Sequence, residues 1–235
     1  MNHKIFILLA GAAILISCEN NNFTNSSANS YQSVKIGTQV WMKKNLDVDH
    51  YRNGDSIPEV RDIAEWDQLI TGAWCYYNND TAVGKIYGKF YNWYAVNDPR
   101  GLAPKGWHIP SDSEWISLEN FLISNGYNYD ETTSGNKFAK SLASSSGWCT
   151  SSNTGAVGYQ YYLWKQNTTG FSALAGGYKC TGNVCPVLCN AGEWWSSTSM
   201  SDGAAYSRLL WYDYANMMSG GREKTLGLSI RCIKN

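Results

Sequence analysis

The cysteines are the residues whose type and spacing could most readily do chemistry in this chain. It has 235 residues and seven cysteines, six of them after Cys18. Three of the six form a cysteine cluster, Cys180-x4-Cys185-x3-Cys189. This spacing could serve a metal, but it is irregular and no histidine lies near it. An even set in an exported chain favours disulfides, with zinc as the alternative. We therefore predict that all six are oxidised: Cys75, Cys149, Cys180, Cys185, Cys189 and Cys232.

The pairing cannot be derived from sequence, since six thiols allow about fifteen arrangements. We expect Cys232, near the end of the chain, to bridge to an earlier part of the domain. Cys75 is the first choice, because that bridge would tie the last strand to the region before the first helix. Cys149 is then expected to pair within the cysteine cluster.

Few side chains have the type and spacing that catalysis would need. Beyond the first residues only His50 and His108 are present. His108 lies near Ser111 and Asp112, but Ser111 already has a role as a helix cap, so a nucleophile–base arrangement is disfavoured. Asp and Glu number 19, and no spacing singles out a glycosidase pair or a calcium loop. We predict no enzyme activity, no metal and no cofactor.

Ligand binding is better supported, at the segment 212–222, YDYANMMSGGR. It offers aromatic, carboxylate, amide and guanidinium groups with flexible glycines, and it is predicted to be a loop between two strands. The loop Ser199–Gly203 would form the opposite wall, with Trp195 beneath or beside the patch. The alternatives are a plain surface hairpin, or a site in the 51–71 excursion. The predicted ligand-binding residues are Trp195, Tyr212, Asp213, Tyr214, Asn216 and Arg222.

Trp194 and Trp195 are adjacent, so on a strand they point to opposite faces and at most one is exposed. Packing of both rings is the favoured interpretation.

The first residues indicate export and a lipid anchor. Lys4 precedes an apolar run from Ile5 to Ile16 that is too short for a permanent membrane span. Leu15-Ile16-Ser17-Cys18 resembles a lipobox, in which the cysteine is acylated. We predict a signal peptide over 1–17, a lipidated Cys18 and a flexible Asn- and Ser-rich tether over 18–33. The alternative is an ordinary signal peptide with a coincidental cysteine.

One domain is predicted from 34 to 235, and its charge is balanced at 19 basic against 19 acidic residues. No basic surface is therefore expected to attract nucleic acid. Alternation around Gly37-Thr38 predicts a hairpin over Val34–Met42. Ser111 and Glu114 have capping-box spacing and predict a helix over Asp112–Ser124.

Weaker signals predict further elements. Helices are expected near 63–69 and 135–143, and a helical stripe runs from Lys85 to Val96. Short aromatic runs between Gly and Ser residues predict strands over the last ninety residues, and Leu228, Ile230 and Cys232 are expected on the inward face of the final strand. Helices followed by short strands indicate an α+β fold with long aromatic-packed loops.

Ordered motifs add a family resemblance: IGTQVWMKKNL, WCYYNND, YGKFYNWYAV, GWHIPSDSEW, GFSALAGGY, EWWSST and GLSIRC. Together they resemble the Fibrobacter succinogenes major paralogous domain, whose members look like lipoproteins and secreted surface proteins. More distantly the chain is similar to the C-type lectin-like fold, shared by formylglycine-generating enzymes. The resemblance implies a small twisted antiparallel sheet, two main helices and a loop-rich region carrying any ligand site.

The sequence also departs from the family pattern. Relatives often have a second cysteine shortly after the position of Cys75, and 81–84 here contains none. The paired cysteines of a formylglycine-generating copper site are not matched by the residues around the cysteine cluster.

The functional expectation is a lipid-anchored binding or adhesion module of the cell envelope, without catalysis. Its lipid would hold it to the outer membrane, facing the cell surface or the periplasm. A carbohydrate or a surface protein is the expected ligand. The alternative is a structural component of a surface filament or complex, with a formylglycine-generating or glycan-processing enzyme less favoured.

Overall fold

The computed structural model describes residues 31–180 and 187–235, and all statements below concern these residues. The predicted signal peptide, Cys18 and Cys185 lie outside them. The strands are β1 Ser33–Ile36, β2 Gln39–Met42, β3 Trp74–Cys75, β4 Phe90–Tyr91, β5 Trp107–His108, β6 Ala191–Ser199, β7 Ala204–Trp211, β8 Met217–Glu223 and β9 Ile233–Lys234. The α-helices are α1 Ile63–Trp66, α2 Thr81–Tyr87, α3 Trp93–Val96, α4 Asp112–Ser124 and α5 Ala139–Leu142.

The strands form antiparallel sheets. One has the order β1-β2-β9-β5, a second pairs β3 with β4, and the third has the order β6-β7-β8. In the first sheet Ile233 pairs with both Trp41 and His108, so the two ends of the domain meet. Short helices alternating with antiparallel strands confirm the mixed α and β class that the sequence predicts.

The first hairpin forms where it was expected. Ile36 pairs with Gln39 across the turn, and Gly37 has φ +60, a conformation that glycine adopts at no steric cost. A Cβ at Gly37 would also come within 2.8 Å of the Phe121 ring on α4. β1 begins at Ser33, and the Tyr31 ring lies 6.2 Å from that of Trp107. The last residues of the predicted tether therefore pack with the domain.

Helix α4 confirms the strongest local prediction. The Ser111 side chain accepts from the Glu114 amide, and the Glu114 side chain reaches back to the Ser111 amide, as a capping box requires. Trp115, Leu118 and Leu122 are buried on the inner face. Helices α1 and α5 likewise lie within the segments where short helices were predicted.

The predicted helical stripe from Lys85 to Val96 is wrong as one helix. Gly88 has φ +80, which ends α2, and a Cβ there would approach the Leu46 carbonyl oxygen at 3.0 Å. The chain then enters β4, and the Asn92 side chain caps α3 by accepting from the Ala95 amide. Aromatic residues at helical spacing here come from three short elements, and Phe90, Tyr91 and Trp93 in the second and third are buried.

The last segment is buried on both faces, and only Ile233–Lys234 is a regular strand. Leu228, Ile230 and Cys232 are inward as predicted. Arg231, expected on the outer face, is fully buried. It donates to the Asn45 side chain at 2.9 Å and to the Met42 carbonyl at 3.0 Å, and these bonds satisfy the buried guanidinium.

The cysteines correct part of the disulfide prediction. Cys149 and Cys189 form a disulfide with their Cα atoms 4.8 Å apart, which confirms a bridge from Cys149 into the cysteine cluster. Cys180 is also disulfide-bonded. Cys75 and Cys232 are free and buried, so the predicted bridge between them is wrong. The two thiols pack in different hydrophobic clusters, which keeps them apart.

Candidate functional site

A group of partly exposed aromatic rings comes from two segments of the chain, one before α5 and one after it. We call it the aromatic surface and define it as Tyr129, Tyr159, Tyr161, Tyr162 and Trp164. Tyr161 is 69% exposed and Trp164 is 67% exposed. The rings of Tyr162 lie 5.2 Å from those of both Tyr129 and Trp164, and Tyr159 lies 5.2 Å from Tyr161. The aromatic surface is therefore a continuous set of neighbouring rings, several of them open to solvent.

The backbone holds this segment in an uncommon conformation. Tyr162 has φ +58, in the left-handed region that bulky residues seldom adopt. A short 3-10 turn, Leu163–Lys165, follows it, and Leu163 is itself 57% exposed. A contiguous exposed apolar patch with local backbone strain is typical of a binding surface.

A buried lysine supports the aromatic surface from below. The ammonium of Lys140, on α5, donates to the Val157 carbonyl at 2.9 Å and the Tyr159 carbonyl at 2.8 Å. It also donates to the Gln166 side chain at 3.1 Å. Burial lowers the pKa of Lys140 to about 8. One cation thus fixes the chain at both ends of the exposed segment.

The hairpin turn between β7 and β8 lies against the same region. The Gly158 amide donates to the Tyr212 carbonyl at 2.7 Å, and the Val157 amide donates to the Tyr214 carbonyl at 3.1 Å. Asp213 accepts a short bond from the Ser151 hydroxyl. Tyr214 is 48% exposed. Four predicted binding residues therefore lie beside the aromatic surface: Tyr212, Asp213, Tyr214 and Asn216.

The other two predicted residues lie elsewhere. Arg222 is in β8 opposite Ala205, six positions from Asn216 and so about 20 Å along the strand. Ser199–Gly203 joins β6 to β7 at that same far end. Trp195 is fully buried and donates its indole proton to the Tyr91 carbonyl at 2.9 Å. The single patch expected from both loops does not form, because the glycine-containing second half of 212–222 is a strand.

The sequence did not predict the run Tyr159–Trp164 as a binding segment. Its letters, YQYYLW, instead predict one of the short aromatic strands. The signal that could have identified this segment is that aromatic and polar residues do not alternate along it. Such a run cannot bury all of its rings on one face of a strand. Some rings in it had to face solvent.

His108 takes no part in a nucleophile arrangement. Its Nδ1 pairs with the Asn235 side chain at 2.8 Å, and its Nε2 pairs with Glu114 at 2.8 Å. The Ser111 hydroxyl bonds to Glu114 at 2.8 Å instead. Both ring nitrogens are therefore used to join the C-terminus to the start of α4.

Two further features concern the described ranges 31–180 and 187–235. Within these ranges no three His, Cys, Asp or Glu side chains converge as a cation site would need. Within the same ranges no helix is long and apolar enough to cross a bilayer.

Comparison with known proteins gives one match. The family model described as Fibrobacter succinogenes major domain matches residues 34–234. No curated protein and no solved structure matches the chain.

Proposed function

The chain belongs to the Fibrobacter succinogenes major domain family, and we propose that it is a lipid-anchored envelope module that binds glycan chains through its aromatic surface, without catalysis. The observation that carries the proposal is the exposure of Tyr161 and Trp164, 69% and 67%, on a segment fixed from below by Lys140. Rings this exposed contribute little to the core, so their position is better explained by contact with a ligand.

The chemistry of the rings favours a sugar. Tyr and Trp present a flat apolar face and a polar edge, which match the C–H face and the hydroxyls of a pyranose. Several rings in sequence suit an extended polysaccharide better than a single enclosed sugar, because the surface is open. Gln160 and Asn153 are exposed, and with their amide nitrogens bonded to the Gly158 and Asp213 carbonyls their side-chain oxygens can accept from hydroxyls.

Charge favours a neutral glycan. The chain carries 19 basic and 19 acidic residues. Beside the aromatic surface, Lys137 pairs with Asp130 at 2.6 Å and Lys165 pairs with Glu131 at 3.3 Å. These local pairs balance one another, so no field of one sign would recruit a polyanion.

The predicted signal peptide and the predicted lipid on Cys18 support the proposed location. The proposed lipid would hold the module at the outer membrane, facing the cell surface or the periplasm, since acyl chains anchor without a spanning helix. A polar tether of about a dozen residues has a root-mean-square length of about 20 Å. It would place the aromatic surface within reach of a glycan layer.

The test is a glycan array probed with the full chain in detergent. The Tyr161→Ala, Trp164→Ala double variant removes the two exposed rings. Ile86→Ala is the matched control, since Ile86 is 65% exposed on α2, away from the site. The proposal expects wild type and control to bind a glycan that the double variant does not bind. Equal binding by all three proteins would refute it.

The assembly alternative has one observation in its favour. β8 is a seven-residue edge of its sheet, and an open edge can pair with a strand of another chain. Assembly through this edge would appear as concentration-dependent oligomers in light scattering. A formylglycine-generating enzyme gains less support, because Cys189 is held in a disulfide with Cys149.

A more specific fold can also be proposed for the domain. We place the domain in the C-type lectin-like fold because its terminal strands pair, a capped helix follows β5, and long loops precede a three-stranded sheet. An experimental structure whose strand connections differ from that fold would refute the assignment.

A further inference from the structure

The three-stranded sheet carries a second polar cluster, centred on the carboxylate of Glu193 in β6. Glu193 is 1% exposed. Arg222 donates its Nε proton to Glu193 Oε1 at 2.7 Å, and Ser207 donates its hydroxyl proton to the same oxygen at 2.6 Å. The Arg222 side chain is 34% exposed and reaches solvent. The cluster therefore joins a buried acceptor to a half-exposed donor.

The other carboxylate oxygen of Glu193 has no such support. Oε2 is buried and has no hydrogen-bond partner among the described residues. Folded proteins seldom bury a carboxylate oxygen without a donor. Burial raises the pKa of Glu193, although Arg222 opposes the rise. Glu193 Oε2 is thus an acceptor that a bound donor would satisfy.

A pocket adjoins the residue that carries this oxygen. Glu193, Ser207 and Gly220 line a pocket of ≈ 240 Å³. Gly220 stands opposite Ser207, and a Cβ built on it meets nothing within 4 Å. An adjoining pocket of ≈ 330 Å³ is lined by Tyr178 and shares Arg222 as a wall. The Arg222 guanidinium lies 5.5 Å from the centre of the Tyr178 ring.

The free groups of this cluster define the chemistry of a ligand. Within 31–180 and 187–235, Glu193 Oε2 has no donor and only Nε of Arg222 is used in the pair with Glu193, so Oε2 can accept and the two Nη groups can donate. The ion pair is neutral as a whole. A vicinal diol matches it, because each hydroxyl both donates and accepts and the ion pair stays intact. A zwitterionic amino acid would bring two further charges that must lose their hydration.

We propose that the pocket at Glu193 binds a single sugar or similar small polyol through a vicinal diol. One hydroxyl donates to Glu193 Oε2, and its neighbour accepts from Arg222 Nη. Tyr178 provides an adjoining ring face. This site is distinct from the aromatic surface, because Arg222 lies at the opposite end of the β7–β8 hairpin from the turn that is bonded to Val157 and Gly158. It therefore adds a site to the proposed glycan-binding function and does not depend on it.

The experiment titrates the full chain in detergent with free glucose, galactose, mannose and ribose, with glycine and alanine as zwitterionic probes. Saturation-transfer NMR reports binding. Gly220→Val places a side chain in the open space of the pocket, and valine suits a strand. Gly203→Val is the matched control, because a Cβ there also meets nothing within 4 Å but Gly203 does not line the pocket.

The proposal expects at least one sugar to bind wild type and the Gly203→Val control equally. Binding should disappear in Gly220→Val and weaken at least tenfold in Glu193→Gln, which keeps the shape of the side chain. If Glu193→Gln does not fold, Gly220→Val alone decides. No sugar binding, binding unaffected by Gly220→Val, or binding of the amino acids in place of sugars would each overturn the proposal.

The two sites can fail separately. The Tyr161→Ala, Trp164→Ala variant should bind the small sugar as wild type does. Gly220→Val should bind the array glycan as wild type does. If the first variant lost the small sugar, the signal would come from the aromatic surface, and the pocket at Glu193 would be refuted.

Discussion

Lys140→Met tests whether one buried cation holds the aromatic surface in place. Methionine keeps the unbranched shape of lysine but removes three hydrogen bonds, to the Val157 and Tyr159 carbonyls and the Gln166 side chain. Two carbonyls left without a donor cost roughly 2–5 kcal/mol in all. The buried ammonium charge of Lys140 itself destabilises the wild type, so its removal offsets part of the cost of the two carbonyls. We therefore expect a modest change in the free energy of unfolding and a large local loss of order.

The pH dependence separates these two effects. Burial lowers the pKa of Lys140 from 10.5 to about 8 in the folded protein. Between these two values the unfolded chain binds more protons, so the stability of the wild type rises with pH. This contribution is complete above pH 10.5 and is lost as pH falls through about 8. From pH 7 to pH 9 it amounts to about 1 kcal/mol, and Lys140→Met should lack it.

The assay combines urea unfolding at pH 7 and pH 9 with amide hydrogen exchange. In Lys140→Met we expect faster exchange across 157–167 while α4 keeps its protection. Glycan affinity should fall more than the free energy of unfolding does. If the variant kept both its protection from exchange over 157–167 and its glycan affinity, Lys140 would not hold the aromatic surface in place.

Three further outcomes are expected. Cys149→Ser with Cys189→Ser removes a disulfide that closes a 40-residue separation, and without reductant it should lower the free energy of unfolding by about 4 kcal/mol in the chain-entropy model. A urea midpoint equal to that of the wild type would contradict this expectation. Burial raises the pKa of both Cys75 and Cys232 to about 12. The free energy that these two protonated thiols contribute to stability is complete below pH 9. It is lost between pH 9 and 12, at about 1.4 kcal/mol per pH unit for each thiol. In a variant with Cys75→Ala and Cys232→Ala the free energy of unfolding should therefore fall less steeply over this pH range. Cys18→Ser should move the protein from the detergent phase to the aqueous phase, and a wild type already in the aqueous phase would refute the lipid anchor.

The sequence predicted the elements whose signals are local. The capping box at Ser111 and Glu114 and the turn at Gly37 each act over a few residues, and α4 and the first hairpin form as expected. Membership of the family could also be predicted, because its motifs are spread over most of the chain.

Features set by distant contacts could not be predicted. Arg231 is buried because Asn45 and Met42 supply its partners across the fold, and no local pattern encodes that. The interval from Lys85 to Val96 has helical spacing, but Gly88 interrupts it. The thiols of Cys75 and Cys232 are kept apart by packing in separate clusters.

Only part of the candidate site could be predicted, because the rest depends on contacts between distant segments. The turn at Tyr212–Asn216 was identified from its composition. Its neighbour Tyr159–Trp164 reaches it only through backbone bonds to Gly158 and Val157. Arg222 lies at the far end of the hairpin from Tyr212–Asn216, because the glycines that predict a loop are part of β8.

The most direct test of the central proposal is a hydroxyl-radical footprint, with and without the tightest-binding oligosaccharide from the array. Tyr161 and Trp164 are among the most exposed aromatic residues described, so they should be oxidised early in the free protein. The proposal predicts that the oligosaccharide protects these two side chains and leaves exposed Ile86 unprotected. Protection confined to another surface, with Tyr161 and Trp164 oxidised as before, would contradict it.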